Sequence, residues 1–292
     1  MGSFSIRFRT RLLPKRSIEL GVLVVTLILI PTIYMFEMFV VIPTVWKSWP
    51  LFQNIIYAVG FFVFSNIVTN FVGLITTCTQ VPQEVMSTSR PSMEWQFCDA
   101  CLSYVPPRSW HCKYCKVCIL KRDHHCLFAG CCIGQFNHRF FIMFLIYIVI
   151  GTLYCVVCES IFLLKTVDLV TPLAPLKIIF PAYAYLTGLE TLSNECSILL
   201  YVVNWIALCG TSWMLHSQIC MCLRGQVTHD KTVDSFTYDL GKTQNIKEVL
   251  GNRWYVAWIF PFISSPLPSN GLEWYTADTW RIKCQKRALK TQ

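Results

Sequence analysis

Four runs of apolar residues, at roughly 20–42, 51–76, 139–164 and 198–221, each reach the length of about 20 residues that a helix needs to cross a bilayer. No other feature constrains the fold as tightly. Lipid offers no partner to a backbone N–H or C=O, so such runs must satisfy their own hydrogen bonds as helices. The rest of the composition agrees. Hydrophobic residues make up 54% of the 292 and charged residues 14%, against roughly 25% charged in an average soluble domain. A single soluble domain is thereby excluded. The expected fold class is mainly α, a multi-pass membrane protein with four transmembrane helices.

Charge sets the expected topology. With four spans, Lys47, Lys165 and Lys177 fall on one side and the other 22 of the 25 basic residues on the opposite side. The basic side is assigned to the cytosol. The first run follows basic residues, as a signal peptide does, but it is too long and no small-residue cleavage site follows it. The run 176–189 is apolar over only 14 residues and contains Pro181, which suits an interfacial or re-entrant segment rather than a fifth span. The expected organisation is a cytosolic tail (1–19), helices one and two (20–76), a cytosolic cysteine-rich zinc domain (77–138), helices three and four with a short apolar lumenal segment (139–221), and a cytosolic C-terminal region (222–292). Met1-Gly2 would suit N-myristoylation only with Ser or Thr at position 6, where Ile6 stands. Near the C-terminus, Trp254, Tyr255, Trp258, Phe260 and Phe262 suit a small core against the cytosolic domain and a helix in the membrane interface equally well.

Eight of the sixteen cysteines lie between Cys98 and Cys132, interleaved with His111, His124 and His125. Their order is Cys98-x2-Cys101-x9-His111-Cys112-x2-Cys115-x2-Cys118-x4-Asp123-His124-His125-Cys126-x5-Cys132. Two residues between cysteines let a tight turn present both sulfurs to one ion, and zinc fills four such positions in a structural site. A disulfide framework would ignore the histidines and need an oxidising compartment. A nucleic-acid-binding zinc ribbon does not sit between membrane spans, so no nucleic-acid partner is expected. Two closed zinc sites take eight ligands from the eleven candidates, and spacing does not choose the three left over. The segment has few large apolar residues, so two structural zincs would supply its folding free energy.

Asp123-His124-His125-Cys126 also brings a thiol, an imidazole and a carboxylate together. A free thiol is mostly protonated near neutral pH, and a neighbouring imidazole held by a carboxylate can take its proton. On residues alone, Cys126 as a nucleophile and Cys126 as one more ligand fit equally well. Position favours the nucleophile: Cys126 lies 13 residues before the third run, at the membrane surface where the thioester of a long-chain acyl-CoA would lie. Lys121, Arg122 and Arg139 could attract the CoA phosphates or be ordinary cytosolic charge.

This spacing, continued through Cys132-x4-Asn137-x3-Phe141, resembles the cysteine-rich domain of the DHHC-type protein S-acyltransferases over 44 residues without a gap. Arg224-Gly225-Gln226 and the stretch from Asn245 to Gly251 resemble the family more loosely. The resemblance implies a division of labour. Cys98, Cys101, His111 and Cys118 would hold one zinc, and Cys112, Cys115, His125 and Cys132 the other. Cys126 would be the acylated nucleophile, His124 its general base and Asp123 the group that polarises His124, leaving Cys131 without a role. Palmitoyl-CoA or another fatty acyl-CoA would donate the acyl group, and cytosol-facing cysteines of membrane-associated proteins would receive it. The compartment implied is the Golgi or the endoplasmic reticulum. Three departures stand out: Leu127-Phe128 where the family has Pro-Trp, Val81-Pro82-Gln83 near its Asp-Pro-Gly, and Val227-Thr228-His229-Asp230 for its Thr-Thr-x-Glu. They motivate an alternative, a weakly active or inactive membrane adaptor that keeps the zinc fold. A hydrolase using the same intermediate with water as acceptor is a third reading.

Overall fold

Each apolar run folds as a helix longer than the run itself. The computed structural model describes residues 8–9, 13–14, 16–167, 174–188 and 191–290. Met1, Gly2 and Ile6, and Leu189 at the end of the short apolar run, lie outside the described residues. The spanning helices are α1 (Ser17–Val45), α2 (Pro50–Thr76), α3 (His138–Thr166) and α6 (Leu192–Leu223). Even the shortest, at 27 residues, extends about 40 Å at a 1.5 Å rise, more than the roughly 30 Å of a hydrocarbon core.

Local chemistry explains the differences from the apolar runs. Helix α6 begins at Leu192, earlier than the run at 198, because the polar residues 193–197 continue the helix. Thr191 Oγ1 caps it by accepting the Asn194 N–H at 3.3 Å. Within α1 the ladder widens to π-type over Glu37–Val41, and the Ile42 N–H reaches back five residues to the Glu37 carbonyl. Pro43 follows directly, and its ring has no N–H and crowds the carbonyl four residues back. The segment 176–189 forms no span: α4 (Ala174–Ile179) and α5 (Pro181–Leu186) are one and a half turns each, broken at Phe180. Pro181 takes the first turn of α5, where a missing N–H costs nothing.

The chain divides into two compact units. One holds residues 25–68 and 144–215. Its core joins Val41 and Val45 to Cys158, Phe162, Leu163, Val167 and Ile198. Tyr34 stacks on Phe64 with ring centroids 3.9 Å apart. Among its buried polar contacts, Asn204 donates to both Glu159 oxygens at 2.9 Å. A largely apolar cavity of about 70 Å³ opens between Ile33, Tyr34, Val63, Phe64 and Tyr154.

The other unit holds residues 1–24, 69–143 and 216–292. Between α2 and α3 the chain folds as three antiparallel hairpins: β1 (Gln96–Cys98) with β2 (Ser103–Val105), β3 (Trp110–Cys112) with β4 (Val117–Ile119), and β5 (His125–Cys126) with β6 (Cys131–Cys132). Their apolar support is two small clusters, Val81, Val105, Cys118 and Leu120 in one and Cys112, Ile119 and Cys132 in the other. The C-terminal region is fixed through two buried cations. Arg108 is 5% exposed, donates to the Gly225 carbonyl at 2.8 Å and to Asp230 Oδ2 at 2.7 Å, and lies under the rings of Tyr238 and Trp274. Lys121 donates to the Glu248 carbonyl at 3.0 Å, and burial, helped by the charge of Arg108, lowers its pKa to about 8. The aromatic stretch near the C-terminus is neither a buried core nor a long helix. Only Trp254–Ala257 is helical, and Tyr255, Trp258, Phe260 and Phe262 are exposed. Arg139, in the first turn of α3, donates to the carbonyls of Pro261 and Ile263 that end this stretch.

Removing one partner of a buried ion pair leaves the other charge without compensation. Arg108→Met is therefore expected to cost about 3–5 kcal/mol of stability, measured as a fall in the unfolding midpoint of the solubilised protein, whereas Arg281→Met, at an exposed position of the C-terminal helix Ala277–Lys290, leaves it unchanged.

Candidate active site and metal centres

The hairpins sort the eleven candidate residues by strand geometry. Side chains alternate across a strand, and directly paired residues share a face. His111 pairs with Cys118, and Cys112, one residue on, pairs with Val117. His111 and Cys112 therefore face opposite sides and serve different clusters. His125 pairs with Cys132, and Cys126, one residue on, pairs with Cys131. The same alternation turns Cys126 away from the group that His125 joins.

Two clusters result: Cys98, Cys101, His111 and Cys118, and Cys112, Cys115, His125 and Cys132. In the first, Cys101 Sγ lies 3.3 Å from His111 Nδ1 and 3.6 Å from Cys118 Sγ, which is 3.5 Å from Cys98 Sγ. In the second, the sulfurs of Cys112, Cys115 and Cys132 lie 3.5, 3.4 and 3.6 Å from His125 Nδ1. Zinc bonds of about 2.3 Å to sulfur and about 2.1 Å to nitrogen give tetrahedron edges of about 3.5–3.8 Å, so both donor sets fit a zinc ion. They do not fit disulfides, whose sulfurs are about 2.0 Å apart, and all these cysteines are free. Both Cys-x2-Cys turns end on a left-handed residue without being glycine: Leu102 at φ 50° and Lys116 at φ 61°. Such backbone costs on the order of 1–3 kcal/mol and persists where its surroundings fix it, as a bound metal would here.

The residues outside the clusters form a hydrogen-bonded line. Asp123 is 3% exposed and accepts from four donors. Its Oδ2 takes His124 Nδ1 at 2.7 Å and Gln218 Nε2 at 3.0 Å. Its Oδ1 takes the Thr228 N–H at 2.8 Å and the Thr228 hydroxyl at 2.9 Å. Burial works against the charged carboxylate, but the bond from His124, the neighbouring His138 and the Gln218 amide hold its pKa well below the usual range. Burial likewise disfavours the His124 imidazolium, yet Asp123 and the Cys126 side chain carry its pKa up to about 9. His124 also rests edge-on against Phe141, with centroids 5.1 Å apart. Cys126 is 5% exposed. Cys131 faces it across the hairpin, and burial pushes that thiol up to about 12.

Gln218 and Thr228 complete a site that the motif alone did not contain. Gln218 is a polar residue in the last turns of an apolar run, which is the signal that could have found it. Its Oε1 lies 3.0 Å from His138 Nε2, so it bridges His138 to Asp123. The departures at 227–230 retain hydrogen-bonding roles: Thr228 holds Asp123, and Asp230 pairs with Arg108. Lys121 and Arg139, which the sequence left open between attracting CoA phosphates and being ordinary cytosolic charge, each donate to a backbone carbonyl of the C-terminal region.

Comparison with known proteins agrees with this geometry. The family model described as DHHC palmitoyltransferase matches residues 91–235. A human protein named probable palmitoyltransferase ZDHHC24 is 34% identical over 233 residues, which cover 78% of this chain and 80% of that protein. Its zebrafish (Danio rerio) namesake is 31% identical over 232 residues, covering 78% and 76%. A protein of Arabidopsis thaliana named probable protein S-acyltransferase 12 is 29% identical over 173 residues, covering 58% and 54%.

Gln218→Leu removes one donor to Asp123 and leaves His138 Nε2 buried beside a hydrocarbon side chain. An orphaned buried polar group costs about 1–3 kcal/mol, so this variant should unfold at a lower temperature than the parent with its zinc content unchanged.

Proposed function

Because the chain belongs to the DHHC palmitoyltransferase family, and is on that ground a membrane-embedded acyltransferase, we propose that it moves a fatty acyl group, typically palmitoyl, from acyl-CoA to cysteines of membrane-associated proteins through an S-acyl-Cys126 intermediate. The observation that carries this reading is the separation of His125 from Cys126 on one short strand: one joins a metal cluster, and the other is left beside a polarised histidine. Asp123 accepts the proton-bearing Nδ1 of His124, which leaves Nε2 as the basic nitrogen for the Cys126 thiol.

In the first step His124 takes the thiol proton and the Cys126 thiolate attacks the thioester carbonyl. The carbon–sulfur bond to CoA breaks, and CoA leaves as a thiolate that receives the proton. In the second step the thiolate of an acceptor cysteine attacks the Cys126 thioester and restores the thiolate of Cys126. Each step exchanges one thioester for another, so no energy source is needed. The eight clustered residues would hold two zinc ions, which supply folding free energy to a segment with little apolar core. Leu127 and Phe128 are exposed beside the thiol and would meet the acyl chain or the acceptor. The basic face is read as cytosolic, which puts both termini and the hairpins on the side where acyl-CoA is found, in a Golgi or endoplasmic reticulum membrane. The adaptor reading rests on the departures at Val81, Leu127-Phe128 and Val227; against it stand the four donors that hold Asp123 beside His124.

Purified protein given a labelled palmitoyl-CoA should acquire a hydroxylamine-sensitive label. Cys126→Ser should acquire none while still holding two zinc ions; undiminished label on that variant would end the proposal. His124→Ala removes the general base and should slow labelling by about 10²–10⁴-fold. Thr228→Val leaves Asp123 one donor short and should slow it by about ten-fold, equivalent to about 1.4 kcal/mol.

A further inference from the structure

A histidine that ligates zinc through one nitrogen is usually held through the other. His125 presents Nδ1 to the three sulfurs of its cluster, so in the neutral ligand Nε2 carries the proton. That Nε2 is buried and has no hydrogen bond of good geometry. A carboxylate oxygen of Glu19 lies 3.4 Å from it. Glu19 is 3% exposed, although it sits in the first turn of α1, far from the hairpins in sequence. The same oxygen is held by Arg16 Nη1 at 3.3 Å. Arg16 in turn lies over the Tyr114 ring at 4.7 Å, and that ring is 4.9 Å from the ring of His125. Arg16, Glu19, His125 and Tyr114 thus close a ring of contacts around one metal cluster. Nearby, Pro14 packs on Gly130 in the turn of the β5–β6 hairpin, where an added Cβ would come within 2.7 Å of the proline ring.

We propose that Glu19 is a positioning residue for the second metal centre: its carboxylate accepts the Nε2–H of His125, fixes the tautomer that ligates zinc through Nδ1, and couples the start of the first span to the hairpin that carries Cys126. The inference rests on the zinc reading given above. Partners of this kind on metal-bound histidines orient the ring and raise its basicity, and losing one typically costs 10–100-fold in metal affinity. A second role is open to any acid in a first helical turn, since it faces the positive end of the helix dipole. The glutamine variant separates the two. Gln keeps an acceptor oxygen for His125 and loses the charge that the dipole would favour.

The experiment measures zinc stoichiometry, the rate of zinc release to a chelator, and the order in which cysteines become alkylated during release, read by mass spectrometry. Parent protein should hold two zinc ions. Glu19→Ala should release one of them at least ten-fold faster, with Cys112, Cys115 and Cys132 alkylated first and Cys98, Cys101 and Cys118 still protected. Glu19→Gln should stay within about three-fold of the parent, the residual cost of a neutral acceptor for a charged one. Release from Glu19→Ala at the parent rate would overturn the proposal, as would simultaneous alkylation of both clusters or a Gln variant as fast as the Ala variant. Two zincs in the parent together with any of those results would leave the zinc assignment standing. A parent without zinc would remove both.

Discussion

Everything at this site depends on the two-residue period of short β-strands. The chemistry requires that neighbours in sequence do different jobs: His111 and Cys112 join different clusters, and His125 and Cys126 divide between a cluster and a free thiol. A helix would place adjacent residues about 100° apart, and a loop would fix no relation between them. A strand sends them to opposite faces by construction. The strands themselves are only two or three residues long, too short to be stable alone. Metal binding at the clusters would supply what the missing core does not. The separation of His125 from Cys126 and the fit of the clusters to metal are thus two consequences of one architecture.

The second constraint is the carboxylate of Asp123. Taking a charge out of water costs several kcal/mol unless hydrogen bonds replace the lost hydration. Here four donors do so, from His124, Gln218 and both the backbone and side chain of Thr228. They come from the strand region, the end of the fourth span and the segment after it. A carboxylate that must gather donors from three parts of the chain makes their arrangement cooperative. Arg108 extends this by pairing with Asp230, two residues beyond Thr228, and by donating to Gly225. Gly225 is suited to that place: at φ +65° it is left-handed, and a Cβ there would lie 2.4 Å from the Tyr238 carbonyl.

Much of this was legible in the sequence. Apolar length identified four spans, and the spacing of cysteines and histidines identified a two-metal segment between the second and third. Allocation of ligands was not legible from spacing, because it depends on hairpin register, and strands of two or three residues leave no alternating pattern to read. Gln218 and Thr228 stand 95 and 105 positions from Asp123; a polar residue in an apolar run and a family-like motif mark them, but neither says which carboxylate they serve. Glu19 is likewise remote in sequence from His125, which it approaches in the fold. The early start of the fourth span was missed because a polar N-terminal turn costs a helix nothing where it leaves the hydrocarbon, while apolar length marks only the buried part. Nor does sequence show that Lys121 is buried, 4% exposed, with its ammonium on the Glu248 carbonyl.

The three departures from the family pattern now separate by environment. Thr228 and Asp230 lie inside the hydrogen-bonded network, and each retains the function that a Thr and an acid can serve there, through a hydroxyl to Asp123 and a carboxylate to Arg108. Val81 packs in the small apolar core beneath the first metal cluster and gives its N–H to the Cys118 carbonyl at 2.9 Å, so it is part of the scaffold. Leu127 and Phe128 differ from both. They are 38% and 49% exposed, adjoin the thiol, and form none of the polar contacts to His124 or Asp123. A change there leaves the hydrogen bonds of Asp123 in place and alters only exposed surface beside Cys126. Leu127 and Phe128 thus stand apart from the hydrogen-bonded network that the other departures join.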